Sequence, residues 1–160
     1  VTRLQIVAVG RLRDGPERAL AARYADRITR LSKNSGFTFA ITELAESKKA
    51  RPSDRCQDEG ERIAGARPAD AVLVVLDIGG RQIDSDDFAR RLTDWRDQST
   101  AAVVFVIGGP DGVSPQLLER ADMILSFGKP TWPHQLVRVM LAEQLYRAVT
   151  ISVGHPYHRA

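Results

Sequence analysis

Two imidazoles, a phenol and a guanidinium stand within five residues near the end of this chain, in His155-Pro156-Tyr157-His158-Arg159. A chain end usually frays into a dispensable polar tail. These side chains can instead hold a polar ring, move a proton and grip a phosphate. The residues alone leave both readings open. Upstream, Phe127-Gly128-Lys129-Pro130-Thr131-Trp132 runs into Pro133 and His134. Gly128, Pro130 and Pro133 disfavour regular structure there. An irregular loop leaves backbone N–H and C=O groups free to read the edge of a planar ligand. Leu76 and Trp132 could wall such a ligand. A proline-rich connector is the plainer alternative.

A third segment, Gly108-Gly109-Pro110-Asp111-Gly112, follows an apolar run and precedes a helix signal. Ligands of α/β sheets bind at such carboxyl ends. The spacing is not the dinucleotide fingerprint Gly-x-Gly-x-x-Gly. Pro110 brings no N–H, and Asp111 would repel a pyrophosphate. The loop suits a ligand without phosphates, such as an adenosine sulfonium compound, or is simply a tight turn that needs glycine. Other chemistries fit less well. His155 and His158 flank a proline turn with no Asp or Glu beside them, so a metal site with His134 is not expected. No Gly-x-Ser-x-Gly or catalytic-cysteine pattern is present. Cys56 lies in a polar stretch and reads as a half-exposed helical residue. A metal-free transfer with a cofactor supplying the group fits best.

The ending His155–Arg159, the run from Ser126, the segment Ile107–Gly112 and the opening Leu4-Gln5-Ile6-Val7-Ala8-Val9-Gly10 together resemble the bacterial ribosomal RNA methyltransferase H family, of the SPOUT class. The resemblance runs nearly end to end. It implies a trefoil knot in which the C-terminal segment threads a loop. It implies S-adenosylmethionine as cofactor, held by Leu76, by Gly108 and Gly109, and by Phe127, Gly128, Lys129, Pro130, Thr131 and Trp132. It also implies a homodimer that methylates N3 of a pseudouridine in large-subunit (23S) ribosomal RNA on the assembled ribosome. An imide N3–H must lose its proton before transfer. His158 would be the base, Arg138 or Arg159 would stabilise the anion, and Tyr157 would stack on or hydrogen-bond the ring. Two other classes stay open on the residues. A non-catalytic ribosome-binding protein would need the basic faces and no cofactor pocket. An adenine-nucleotide-binding regulator would use the glycine loop and depend on phosphates.

The elements that must position these groups alternate. Strands are expected at Leu4–Val9, Phe37–Glu43, Ala71–Leu76, Ala101–Ile107 and Met123–Ser126. Helices are expected at Pro16–Leu31, Pro52–Ala64, Asp84–Trp95, a short piece capped by Ser114, and Pro133–Val149. The first should bury Leu20, Tyr24, Ile28 and Leu31 on one face. The second is mostly polar and expected to be exposed, after a mobile Ser47–Arg51 lead-in. This order argues for one α/β domain over residues 1–160, with a mainly parallel sheet and helices on both faces. Ordinary connection rules would leave it unknotted. The last helix is apolar around nearly its whole circumference, so it should be buried on all sides, one of them by a second subunit. Arg138 within it should be paired or face a polar site.

Bulk composition agrees. The chain has 160 residues, 43% of them hydrophobic, which suits one domain with a sizeable core. No apolar run reaches the roughly 20 residues needed to span a membrane. Nothing resembles a signal peptide, and cytoplasmic residence is the expectation. Net charge is +3, but residues 11–33 hold seven Arg/Lys against three acids. That clustering permits a nucleic-acid partner through phosphate contacts.

Overall fold

The computed structural model describes residues 1–159. Its elements are β1 (Thr2–Val9), α1 (Pro16–Arg30), α2 (Ser32–Ser35), β2 (Phe37–Leu44), α3 (Pro52–Ala66), β3 (Val72–Arg81), α4 (Ser85–Asp97), β4 (Ala102–Ile107), α5 (Pro115–Arg120), β5 (Met123–Leu125) and α6 (His134–Ser152). The strands form one sheet in the order β2-β1-β4-β3-β5, and every pairing is parallel. β4 is buried along its whole length, as a strand covered on both faces requires.

Alternation along the strands sends side chains to two cores. Leu4, Ile6 and Phe105 meet Ile28 of α1, Leu92 of α4 and Leu141 of α6. Val7, Val75 and Val106 meet Ile63 of α3 and Leu117 of α5 on the other face. Helices therefore cover both sides. Asp84 accepts from the Asp87 N–H and Ser114 from the Leu117 N–H, capping α4 and α5.

Three sequence expectations change. Leu20 is exposed although Ile28, on the same face of α1, is fully buried. The Ser47–Arg51 lead-in is tied down rather than loose. The Ser47 N–H donates to Glu59 at 2.8 Å and its hydroxyl to Asp58 at 2.6 Å. That anchorage buries Ser47 and Glu59, so α3 is less exposed than its polarity suggested. Finally, the chain itself covers most of α6. Leu141, Leu145 and Val149 are fully buried by α1, α4 and the sheet. The apolar residue it leaves most open is Leu136, 41% exposed.

β3 runs five residues beyond the expected Leu76, and its end crosses β5. Leu125 pairs with Leu76 and again with Arg81, and the Ser126 N–H donates to the Arg81 carbonyl at 2.9 Å. Gly80 makes this crossing possible: a Cβ there would stand 2.7 Å from the carbonyl carbon and oxygen of Ile124. Backbone cannot yield as a flexible side chain does. Gly80→Ala should destabilise the fold by about 1–3 kcal/mol, the usual cost of overpacking. Urea denaturation checks this, and unchanged stability would show that the crossing is looser than described.

Candidate active site

Leu76, Asp77 and Ile78 of β3 and the loops after β4 and β5 converge on a cavity of about 450 Å³ at the carboxyl end of the sheet. That is the expected place for a ligand and within the size range of small-molecule sites. Every residue expected to hold a cofactor lines it except Lys129, which is exposed and stands outside the wall. Asp77, His134 and Val137 add to the lining.

Each wall has its own local cause. Gly109-Pro110-Asp111-Gly112 is a turn closed by the Gly112 N–H on the Gly109 carbonyl at 3.0 Å. Gly112 takes φ +84°, which favours glycine. Gly108 is needed for another reason. A Cβ on it would lie 2.8 Å from Val113 Cγ2 and 2.9 Å from the Gly112 carbonyl oxygen. A side chain at Gly108 would therefore displace the turn itself, not only occupy ligand space. The Phe127–Trp132 wall is tied to the sheet end by Ser126. Its hydroxyl accepts the Gly128 N–H at 3.1 Å, and the Trp132 indole donates to the Phe127 carbonyl at 3.2 Å. Residues 130–132 otherwise leave much of their surface open.

A second cavity of about 450 Å³ shares Leu125, Ser126, Phe127 and Gly128 with the first. Ser85, Phe88, Met140 and Glu143 also line it. The C-terminal tail docks beside it through Glu143. The Tyr157 hydroxyl donates to Glu143 Oε1 at 3.1 Å, and its ring packs edge-on against Tyr146, centroids 4.7 Å apart. Burial, the Tyr24 hydroxyl and the Glu143 carboxylate together hold the Tyr157 phenol well above its usual range. Arg147 binds Glu143, lies over the Tyr157 ring and reaches His158 Nδ1 at 3.1 Å.

That last contact fixes a tautomer. Arginine has no acceptor, so Nδ1 must accept and the proton sits on Nε2. Nε2 faces Asp86 Oδ1 at 3.4 Å. In this pose neither ring nitrogen of His158 offers a lone pair to a substrate. Arg159 is exposed.

Arg138 stands apart from the tail. It is 4% exposed and lines neither cavity. It pairs with Glu43 and donates to the Gly10 carbonyl at 2.9 Å, while Glu43 also accepts the Leu12 N–H at 2.7 Å. Its guanidinium joins α6 to the ends of β1 and β2, which does not suit an anion stabiliser. The arginine beside the tail is Arg147. Its i,i+4 spacing from Glu143 suits the ion pair they form, but nothing in the sequence places that pair under Tyr157 and His158.

The comparisons with known proteins decide the family. The family model described as "Predicted SPOUT methyltransferase" matches residues 2–158. The chain is 54% identical over 159 residues to "Ribosomal RNA large subunit methyltransferase H" of Rhodopseudomonas palustris (strain BisB18), covering 99% of each chain. This chain belongs to the SPOUT methyltransferases. It is also 50% identical over 158 residues to the protein so named in Nitrobacter winogradskyi, covering 98% of this chain and 99% of that one. A third so named, from Bradyrhizobium diazoefficiens, is 48% identical over 159 residues, covering 99% of each. Membership of a methyltransferase family agrees with a cavity at the carboxyl end of the sheet. Among the described residues, no group of three or more His, Cys, Asp or Glu could hold a metal ion, and no helix is long and apolar enough to cross a membrane.

The tail geometry is directly testable. Long-range proton–nitrogen spectra should show His158 as the Nε2–H tautomer in the wild type, and Arg147→Met should lose that preference. An Nδ1–H signature in the wild type would contradict the docked pose.

Proposed function

We propose that this SPOUT methyltransferase uses S-adenosylmethionine to methylate N3 of a pseudouridine in large-subunit ribosomal RNA on the assembled ribosome. The observation that carries the cofactor reading is the cavity at the ends of β3, β4 and β5. Leu76, Phe127 and Trp132 give it apolar walls, and the loops at Gly108 and Gly128 bring backbone groups to a polar edge. Its lining includes the carboxyl group of Asp77, and that of Asp111 paired from outside by Arg55, but no Lys or Arg, which suits a cationic ligand better than a phosphate. This argues against the adenine-nucleotide alternative. Bound S-adenosylmethionine would supply an activated methyl group. The relatives' name supports ribosomal RNA as acceptor, and the sequence resemblance supports N3 of a pseudouridine as the position.

The protein's own task is to orient the base, remove the imide proton and hold the resulting anion. Tyr157, His158 and Arg159 are the residues proposed for this. His158 must first leave Arg147, since its acceptor nitrogen is engaged in the docked pose. Arg147 and Arg159 then replace Arg138 as the cations available near the tail. The double pairing of Leu125 and the close crossing at Gly80 support the knotted path typical of the resemblance.

A homodimer is proposed on a narrower ground than an apolar helix. Ile78 is 60% exposed, and Trp132 and Leu136 are 41% exposed. Ile78 and Trp132 line the cofactor cavity, and Leu136 lies in the first turn of α6. A second copy of the chain covering them would also close the cavity mouth. Leu136→Glu should give a folded monomer, because this side chain is not part of its own subunit's core. Sedimentation at micromolar concentration checks this; a wild-type monomer would contradict the dimer.

The enzymatic reading is tested by single-turnover methylation of ribosomes that lack the modification. Deleting residues 157–160 should abolish methyl transfer while leaving cofactor affinity by calorimetry within a few-fold, since Tyr157, His158 and Arg159 do not line the cofactor cavity. His158→Ala should slow transfer by about 10²–10⁴, the usual worth of a positioned base. Full activity of the truncated chain would remove the tail from the chemistry. Failure of the wild type to bind S-adenosylmethionine would favour a non-catalytic ribosome-binding protein.

A further inference from the structure

Helix α3 contributes no residue to the cofactor cavity, yet one of its faces is fitted to the loop that does. Arg55, Cys56, Glu59 and Gly60 all point at residues 109–114. Arg55 grips Asp111 with both arms of its fork, Nε to Oδ2 at 2.6 Å and Nη2 to Oδ1 at 3.2 Å. Its third nitrogen donates to the carbonyls of Lys49 and Ala50 at 3.1 and 3.0 Å. The Cys56 thiol donates to the Asp111 carbonyl at 3.2 Å. Glu59 is 4% exposed; one oxygen takes the Ser47 N–H, and the other lies 3.0 Å from where a Cβ on Gly109 would stand. A Cβ on Gly60 would lie 2.8 Å from the Ser114 hydroxyl. The loop thus rests on α3 at both of its ends and at its tip.

Asp111 is the hinge of this arrangement. It lines the cofactor cavity, and without a partner its carboxylate would be free to turn into that cavity or away into solvent. A bidentate arginine fixes direction as well as charge. The two side chains are 27% and 23% exposed, so the pair is sheltered without being buried. Global stability should depend little on such a pair. Ligand binding should depend on it more, because a cavity wall set slightly wrong weakens every contact it makes.

We propose that Arg55 is a positioning residue for the cofactor loop, acting through Asp111 to hold the Gly109–Gly112 turn in its binding shape. This rests on the reading that the cavity takes S-adenosylmethionine. An arginine from a helix outside the cavity would then set how tightly the enzyme holds its cofactor, while leaving the transfer step to the tail.

The test is a double-mutant cycle on the full chain with Arg55→Met, Asp111→Asn and both together. Calorimetry with S-adenosylmethionine should show Arg55→Met weakening affinity by about tenfold, with kcat at saturating cofactor within about twofold of wild type. In the Asp111→Asn background the same change should have no further effect. Arg55→Lys, which keeps the charge and loses the fork, should fall between. A readout without ligand accompanies it: exchange of the Gly112 amide should speed up by on the order of tenfold in Arg55→Met, with the melting temperature nearly unchanged. Wild-type affinity in Arg55→Met, an equal loss in the Asp111→Asn background, or unchanged Gly112 exchange would each overturn the proposal. If the wild type binds no S-adenosylmethionine, the cofactor reading falls instead, and the exchange measurement still decides whether Arg55 orders the loop.

Discussion

The site depends on one crossing. β3 does not stop beside β5 but passes it, so that Leu125 is paired at Leu76 and again at Arg81. Backbone meets backbone at Gly80, where no side chain fits. The part of β3 beyond Leu76 is thereby held against the end of β5. The loop after β4 adds the remaining wall from the other side of β3, because β4 is the neighbour of β3 opposite β5. A cavity walled largely by loops would usually be soft. This one is set by a pairing deep in the fold, with its remaining freedom restrained from outside by α3 and from within by Ser126.

A second constraint separates the first cavity from the tail. The two cavities share the Leu125–Gly128 segment, and the tail is anchored at Glu143, which lines only the second. The tail is held by polar contacts to Glu143, Arg147 and Asp86 together with one aromatic edge. Such contacts are individually modest and exchangeable. The proposed role of His158 as base therefore requires it to leave Arg147, which engages its acceptor nitrogen in the docked pose.

Much of this was legible in the sequence. The buried strands announced themselves by continuous apolar runs, and Ser114 marked a helix start by the donor it caps, whereas Asp84, expected as the first helical residue, is the cap of α4. Gly108–Gly112 and Phe127–Trp132 were recognisable as irregular segments at strand ends. Long-range pairing was not legible. Arg55 and Asp111 are 56 residues apart, and Arg138 and Glu43 are 95 apart. No local pattern distinguishes an arginine that grips a loop from one that faces water. The apolar circumference of α6 suggested a partner subunit for a full face, but α1 and α4 supply most of that cover. Lys129 shares its loop with the wall residues Gly128 and Pro130 yet does not line the cavity, a difference that no local pattern marks.

On the proposed function, this chain places one methyl group on one pseudouridine of large-subunit ribosomal RNA. The decisive measurement is mass spectrometry of that RNA from a strain lacking the gene. The expected result is the loss of a single methyl group from one pseudouridine, restored by the wild-type chain and not by one lacking residues 157–160. An unchanged methylation pattern in the deletion strain would contradict it.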